Sequence, residues 1–211
     1  MIDLLNETPF AEGGNRKCFV HPNNKDRCLK IVHSGLIEKI KKNKPWYKKF
    51  RSNESFDDNL REQAAYNQKA LRSNNQKIWD HLAKWYGIVE TNIGRASETE
   101  LIRNNNKIAE TLEEYLFREG LTDEIKDAIE EFQIWLRHHL VMTKNLIPHN
   151  LVLASKNGKP KIKIIDGLGS HAFFPLSSYS NILAKRYVNR RIELMWSRIN
   201  WDLTGRKGSW K

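Results

Sequence analysis

The sequence of 211 residues lacks several features that define large classes of protein. No stretch approaches 18 consecutive apolar residues, and this absence excludes a transmembrane helix. The N-terminal segment MIDLLNETPF has neither the basic region nor the apolar core of a secretory signal, so a cytoplasmic location is expected. Internal repeats and low-complexity tracts are also missing, so the pattern indicates an ordinary folded protein rather than a repeat array.

Cysteine is scarce, and acidic side chains are fewer than basic ones. The only cysteines are Cys18 and Cys28, too few for a disulfide framework and without companions for zinc. We expect two buried thiols, and a pair facing each other across a hairpin is the alternative. The 36 Lys and Arg residues against 25 Asp and Glu give a net charge of +11, which favours an anionic partner. Phosphate, nucleic acid and acidic lipid all satisfy that charge.

The hydrophobic content of 39% is sufficient for one medium domain or for two small lobes that share a cleft. A β-hairpin is predicted in the second half, because the apolar run at 151–154 is followed by Asn157-Gly158, a strong two-residue turn signal. The alternating second strand ends at Asp166. This hairpin would bring Asn150 beside Asp166, and two hard oxygen ligands suit Mg²⁺, which takes few protein ligands.

Three short strands are predicted between residues 10 and 32. The turn between the first two contains Gly13 and Gly14, which would let backbone N–H groups approach a phosphate, although an ordinary hairpin turn is the alternative. Lys30 lies within the apolar third strand. Its ammonium group either faces solvent or pairs with a carboxylate, and Glu62 on the next predicted helix is the candidate.

Helices are predicted in four places. The helix that carries Glu62 begins near Asp58, is capped by Asp58 or Asn59, and has an inward stripe at Leu60, Ala64, Ala65 and Leu71. A second helix carries Ile108, Leu112, Tyr115 and Leu116 and ends at Gly120. A third is capped by Thr122 and buries Ile125, Ala128, Ile129, Phe132 and Leu136; its end at His138 and His139 complements the helix dipole better than it suits a metal. The last, at 181–201, faces inward with Ile182, Leu183, Tyr187, Val188, Ile192, Met195, Trp196 and Ile199 and outward with Arg186, Arg190, Arg191 and Arg198.

A basic insertion is predicted at residues 35–55, where lysines and arginines of the 39–51 segment alternate with aromatic side chains. Such a pattern can bind nucleic acid by phosphate contacts and stacking. It is also typical of a solvated insertion whose aromatic side chains pack on the body of the protein, and we favour that interpretation.

Two short motifs resemble those of the protein-kinase-like superfamily. The segment Asn145-Leu-Ile-Pro-His-Asn150 resembles the D-L-K-P-x-N catalytic loop, and Asp166-Gly-Leu-Gly resembles the D-F-G metal-binding segment. The resemblance implies ATP and Mg²⁺ as cofactors, with Gly13 and Gly14 over the phosphates, Lys30 held by Glu62, and Asn150 and Asp166 on the metal. One position departs from the pattern, because Asn145 stands where the superfamily has its catalytic aspartate.

The order of motifs also resembles the YrbL family of bacterial PhoP-regulatory-network proteins. The matching segments include residues 16–22 and 27–32, then 87–91, Pro148-His-Asn and Asp166. The resemblance implies an α+β, minimal protein-kinase-like two-lobed fold. We expect an N-terminal lobe at residues 1–103, a reduced C-terminal lobe at 104–203 and a flexible tail at 204–211.

The function implied by these resemblances is ATP and Mg²⁺ binding in the interlobe cleft. The chain would act as a weak or atypical phosphotransferase, or as a nucleotide-binding pseudokinase, in bacterial signalling. A non-enzymatic basic module that binds nucleic acid or an acidic regulatory partner is the alternative. No motif identifies a phosphoryl acceptor.

Overall fold

The structure, a computed structural model, describes residues 1–42, 56–72, 75–156, 158–169 and 180–210. The chain forms two compact units, one made of Met1–Tyr66 and Lys84–Leu101 and the other of Asn67–Ala83 and Ile102–Lys211. Most of the predicted basic insertion, namely residues 43–55, lies outside the described residues, and so does Asn157 of the predicted turn.

The first unit contains a five-stranded antiparallel sheet. The three strands predicted from residues 10–32 are confirmed, and two further strands follow the helices of this unit. When the strands are numbered by their order in the sequence, they lie side by side in the order first, second, third, fifth, fourth. The sheet core contains the buried side chains of Leu4, Phe19, Leu29, Ile31 and Ala96. The five strands are β1 (Ala11–Glu12), β2 (Arg16–His21), β3 (Asn24–Val32), β4 (Trp85–Thr91) and β5 (Gly94–Glu100).

Two helices of this unit are described, α1 (Leu36–Lys42) and α2 (Asp58–Tyr66). The predicted inward stripe is confirmed at Ala65 and Leu71, which are buried, and wrong at Leu60, which is only half-buried, and at Ala64, which is exposed. The capping prediction for α2 is wrong too, since the Asp57 carboxylate accepts hydrogen bonds from the N–H groups of the first turn. The helix packs against β3, β4 and β5. The side chains that it buries are those of Asn59, Glu62, Ala65 and Tyr66.

The second unit combines short strands, one long hairpin and three helices. Its strands are β6 (Arg103–Asn104), β7 (Lys107–Ile108), β8 (Leu151–Lys156) and β9 (Lys159–Ile164), its helices are α3 (Leu112–Glu119), α4 (Asp123–His139) and α5 (Asn181–Leu203), and its 3-10 turns are Lys69–Arg72, Gln76–Asp80 and Pro148–Asn150.

The predicted hairpin is confirmed as the antiparallel pair β8–β9, with Leu151 opposite Ile164. Helix α4 packs against β9, and its capping by Thr122 and its five predicted core residues are confirmed. Helix α3 begins after Thr111, which forms a capping box with Glu114. Ile108 was predicted on that helix and is instead an exposed residue of β7, because the cap sets the helix start four residues later.

Helix α5 departs from its predicted faces at both ends. Ile182 and Leu183 were predicted to face inward and are exposed. Arg198 was predicted to face outward, but its side chain is only 15% exposed and pairs with Asp202 and Glu113. The inward positions Val188, Ile192, Met195 and Ile199 are buried. Within the part of the chain that the structure describes, no helix is both long and apolar enough to cross a membrane.

Candidate functional site

The first unit contains a buried ion pair between a strand and a helix. The Lys30 Nζ on β3 lies 2.7 Å from the Glu62 Oε1 on α2. Their side chains are 7% and 6% exposed, so the alternative of a solvated Lys30 is wrong. A lysine is rarely buried unless it is paired, and here its ammonium group is held at a fixed place by a carboxylate on another element.

Arg16 and Asn59 extend this pair into a network. The Arg16 Nη1 donates to the Glu62 Oε2 at 2.7 Å and to the Asn59 Oδ1 at 3.4 Å. The Asn59 Nδ2 donates to the backbone oxygens of Lys30 and Arg95, at 3.0 and 3.2 Å. Each carboxylate oxygen of Glu62 therefore has its own cation, and the helix is tied to the backbone of two strands.

Two cysteines lie near Lys30, namely Cys18, which pairs with Lys30 across β2 and β3, and Cys28 on β3 itself. Neither forms a disulfide; Cys28 is buried as predicted, whereas the prediction of a buried Cys18 is wrong, because this residue is only partly buried. A hydrogen bond with Cys18, together with burial, raises the pKa of the Cys28 thiol well above its usual value of 9.0. Cys28 is therefore neutral at physiological pH and places no negative charge beside Lys30.

The glycine turn between β1 and β2 is anchored by backbone and side-chain bonds. The Gly13 N–H donates to the Arg16 carbonyl at 2.9 Å, and the His33 Nε2–H donates to the Gly13 carbonyl at 2.8 Å. Neither Gly13 nor Gly14 has a positive φ. A Cβ atom at Gly13 would come no closer than 3.9 Å to a neighbouring atom, and at Gly14 it would meet nothing within 4 Å. The packing of this unit therefore does not itself require glycine at either position.

In the second unit, the loop before β8 carries both Asn145 and Asn150 and is bonded to the loop after β9. The Asn150 Nδ2 donates to the backbone carbonyl of Asn145 at 2.8 Å. Because a carbonyl can only accept, this bond assigns the amide orientation and leaves the Asn150 Oδ1 as the acceptor. The Asn145 side chain is exposed, and its backbone N–H donates to the Gly167 carbonyl at 3.1 Å.

Gly167 is required by this packing. Its φ is +80°, and a Cβ atom there would lie 2.5 Å from the Asn145 carbonyl oxygen and 2.9 Å from the Asn150 Nδ2. Only glycine fits this approach between the two loops. The glycine after the candidate metal-binding aspartate thus fixes where Asn145 and Asn150 lie.

Asp166 is held next to the same cluster. The Ile165 N–H donates to the Asn150 carbonyl at 3.0 Å, and the Asp166 Oδ1 accepts from the Gly167 N–H at 2.6 Å. Among the described residues, no group of three or more His, Cys, Asp or Glu side chains is arranged to hold a metal ion. One carboxylate and one amide oxygen are nevertheless the donor set that suits Mg²⁺ bound with phosphates, because Mg²⁺ usually keeps several non-protein ligands.

A second network joins the Asn150 turn to the end of the chain. Glu113 on α3 accepts from the His149 Nδ1 at 3.2 Å and from the Arg198 Nη2 at 3.0 Å. Arg206, beyond the end of α5, also donates to Glu113 and to the fully buried Asp202. Arg206, which follows α5, and His149, which precedes Asn150, therefore contact the same acid, Glu113.

The structure thus brings the predicted residues together in two groups. Lys30 and Glu62 meet in the first unit, next to the strand that follows Gly13 and Gly14, and Asn145, Asn150 and Asp166 meet in the second unit. Sequence reasoning missed Arg16 and treated Asn59 as a cap. The sequence carried no signal for Arg16, because this residue lies three positions before the buried Phe19 and so on the opposite face of an alternating strand.

The fold is that of a protein kinase domain. A kinase domain of Mycobacterium tuberculosis PknI is similar with a TM-score of 0.54 and 12% identity, over 94% of this chain and 75% of that one. Rad53 1-466, crystallised in complex with AMP-PNP, is similar with a TM-score of 0.51 and 13% identity. That match covers 94% of this chain, which spans about half (47%) of the Rad53 chain.

The chain belongs to the family described as PhoP regulatory network protein YrbL, whose model matches residues 2–200. YrbL of Escherichia coli (strain K12) is 24% identical over 204 residues, which cover 94% of this chain and 86% of that protein. YrbL of Shigella flexneri matches with the same identity and coverage. The resemblance to this family is therefore confirmed, and the solved structures confirm the kinase-like fold.

Proposed function

We propose that this kinase-like protein binds ATP with Mg²⁺ and is a weak phosphotransferase or a nucleotide-binding pseudokinase. The observation that carries the proposal is the buried Lys30–Glu62 pair at 2.7 Å. A buried ion pair is weak evidence for stability, because desolvation offsets much of its Coulomb energy. A functional role for a lysine held at a fixed place therefore explains the buried pair better than a contribution to stability does.

Lys30 is assigned to the α- and β-phosphates of the nucleotide. A compact ammonium group is a strong partner for phosphate oxygens, and its pairing with Glu62 fixes its position before the ligand arrives. The backbone N–H of Gly14 is assigned to the same phosphates, with Gly13 closing the turn beside it, because the Gly13 N–H already donates to the Arg16 carbonyl. The AMP-PNP bound in the structurally similar Rad53 supports a nucleotide as the ligand of this fold.

Asn150 and Asp166 are assigned to the metal. The Asn150 amide is oriented with its Oδ1 as the acceptor, and Asp166 supplies a carboxylate. When bound, Mg²⁺ would neutralise phosphate charge, which is the largest contribution to most phosphoryl transfers. Gly167 keeps the two ligand-bearing loops in register.

Asn145 limits the chemistry. A carboxamide can orient an acceptor hydroxyl by hydrogen bonding, but it cannot take the proton at neutral pH. General-base catalysis typically contributes about 10²- to 10⁴-fold to a rate. We therefore expect slow phosphotransfer or none.

The Asn145→Asp variant tests this account of the rate. The substitution places a carboxylate at this exposed position, so it should raise ATP turnover by about 10²- to 10⁴-fold, the range of general-base catalysis. Release of phosphate from labelled ATP is the measurement, with Asn145→Ala as the matched control. An Asn145→Asp rate equal to that of wild type would show that another group limits the reaction.

The proposal places the protein where ATP is abundant, in the cytoplasm. Isothermal titration of ATP into the wild type, with and without Mg²⁺, is its primary test. We expect magnesium-dependent binding that is lost in Asp166→Ala, and absence of binding by the wild type would overturn the proposal.

The alternative of a basic module for nucleic acid or an acidic partner receives no specific support. Residues 43–51 of its main segment lie outside the described residues. The outward-facing arginines predicted on α5 are a second group of basic residues that such a module could use. Of these, Arg198 is engaged with Glu113 and Asp202. Its own test is the salt dependence of nucleic-acid affinity, which would be steep if several phosphates were contacted.

A further inference from the structure

We infer that Arg16 is a positioning residue that sets the Lys30–Glu62 pair and couples it to the glycine turn. This inference rests on the proposed function, because it deepens the role of the phosphate-binding residues. It comes from the geometry of one buried guanidinium group in the first unit.

The two oxygens of Glu62 are divided between two cations. Lys30 lies 2.7 Å from the Oε1, and Arg16 lies 2.7 Å from the Oε2. A carboxylate held through one oxygen alone can rotate about its terminal bond. With its second oxygen bound to a guanidinium group, the orientation of the first oxygen toward Lys30 is fixed.

The guanidinium group has a second partner on the same helix, one turn earlier. The Arg16 Nη1 also approaches the Asn59 Oδ1 at 3.4 Å, and Asn59 in turn donates to the Lys30 carbonyl. Arg16 and Lys30 lie on neighbouring antiparallel strands, where Arg16 pairs with Val32. The Arg16 side chain thus reaches from β2 to two residues of α2.

Arg16 is also the closing residue of the glycine turn. Its carbonyl accepts the Gly13 N–H at 2.9 Å, and the neighbouring Asn15 Nδ2 donates to the Asp58 Oδ2 at 2.7 Å. The glycine turn is therefore tied to the start of α2 by Asn15 and to its middle by Arg16. A displacement of the turn by a bound phosphate would be transmitted to Glu62 through these bonds.

The Arg16→Met and Arg16→Lys variants separate positioning from charge. Lysine keeps the positive charge, but its shorter side chain ends in a compact ammonium group and does not place a donor where the Arg16 Nη1 lies between the Glu62 Oε2 and the Asn59 Oδ1. Positioning predicts that both variants bind Mg²⁺–ATP roughly tenfold more weakly than wild type, in keeping with the loss of a charge-assisted hydrogen bond. If the Arg16→Lys variant binds Mg²⁺–ATP as tightly as wild type, the positioning role is overturned, because the positive charge of Arg16 would then be sufficient.

Lys17→Met is the matched control. Lys17 is the next residue of β2, its side chain is 43% exposed, and it lies 3.7 Å from the Glu12 carboxylate. The variant removes one positive charge from the same strand without touching Glu62. Its Mg²⁺–ATP affinity should equal that of the wild type, and a loss as large as that of Arg16→Met would overturn the inference.

A thermodynamic cycle with Glu62→Gln tests whether Arg16 acts through Glu62. If it does, Arg16→Met should weaken binding in the wild-type background and have little further effect in the Glu62→Gln background. Additive losses would overturn the inference. Circular dichroism of each variant identifies any that fail to fold, and Arg16→Lys then serves in the cycle in place of Arg16→Met.

A readout without nucleotide distinguishes this inference from the proposed function. Acylation of Lys30 by an N-hydroxysuccinimide ester, followed by mass spectrometry with Lys17 as the internal reference, reports how firmly the pair is held. The Arg16 variants should label Lys30 several-fold faster than wild type. Faster labelling in a protein that binds no ATP would retain the role of Arg16 and reject the proposed function; unchanged labelling would reject the role of Arg16.

Discussion

At the scale of single residues, glycine has two different roles in this chain. Gly167 has a positive φ and lies where a Cβ atom would collide with the Asn145 carbonyl, whereas Gly14 has open space around it. The first glycine is required by the fold itself. The second is compatible with any small residue in the protein alone, so a requirement for glycine there must come from a ligand.

Alanine substitutions at these two positions should therefore differ. Gly14→Ala should leave the free energy of unfolding unchanged or raise it by up to about 1 kcal/mol, because it reduces the entropy of the unfolded chain. It should weaken Mg²⁺–ATP binding, since the added methyl group hinders close approach of phosphate. Gly167→Ala should lower stability by at least about 1 kcal/mol through strain and collision.

Urea denaturation and calorimetric titration of the two variants provide the check. If Gly14→Ala binds Mg²⁺–ATP as tightly as wild type, the glycine turn does not approach the phosphates.

The site residues that belong to recognisable sequence motifs could be predicted from the sequence. Asn150 and Asp166 follow from their places at the two ends of a hairpin whose turn signal is strong. Arg16 could not be predicted, because an arginine at the start of a half-exposed strand normally faces solvent. The burial of Arg16 is favourable only because the packing of α2 on the sheet places the Glu62 carboxylate beside it.

At the scale of elements, α2 shows why a hydrophobic stripe can mislead. The prediction chose Leu60 and Ala64 because they are apolar, yet the helix turns Asn59 and Glu62 to the sheet. Burial of those polar groups is stable because each has partners, Lys30 and Arg16 for Glu62 and two backbone carbonyls for Asn59. The pattern of apolar residues contains no information about such partners.

Helix α5 shows the same effect at its C-terminal end. Asp202 has a fully buried side chain that accepts from Arg198 and Arg206. Asp202→Ala should lower the free energy of unfolding by about 1.5 to 3 kcal/mol, because two guanidinium groups lose a charge-assisted hydrogen-bond partner and keep only Glu113. Urea denaturation measures the loss, and Glu193→Ala, an exposed acid of the same helix, is the matched control. Equal stability of the two variants would show that the Asp202 network contributes nothing.

The packing of His81 against β9 predicts a dependence of stability on pH. His81 is buried, its Nδ1–H donates to the Ile162 carbonyl at 2.7 Å, and Glu131, Lys161 and Asp80 face it. Burial lowers the pKa of His81 from its usual value of 6.5. The unfolded chain therefore binds a proton that the folded chain does not, so stability is full above pH 6.5 and falls as the pH decreases below that value.

Urea denaturation between pH 7.5 and 5 tests this dependence, with each pH chosen around the ordinary histidine pKa of about 6.5. His81→Asn keeps a donor for the Ile162 carbonyl and should reduce the loss of stability in acid. An unchanged slope in His81→Asn would assign the effect elsewhere, for example to His139, whose pKa burial also lowers.

At the scale of the whole molecule, the sequence was sufficient to predict an α+β kinase-like fold and membership of the YrbL family. The strands β1 to β3, the β8–β9 hairpin and the N-terminal cap of α4 follow from local signals that agree with one another. The ends of α2 and α5 and the short strands β6 and β7 were not predictable. Their boundaries depend on caps and on long-range ion pairs rather than on apolar periodicity.

In the proposed function, this protein binds a nucleotide through the charge of Lys30 and through a metal held by Asp166. The most direct test is to titrate ATP, with Mg²⁺ and with a chelator, into wild type, Lys30→Ala and Asp166→Ala. We expect Lys30→Ala to weaken binding in both conditions, and Asp166→Ala to abolish only the difference between them. Magnesium-dependent binding that persists in Asp166→Ala, or binding that is unaffected by Lys30→Ala, would contradict the account.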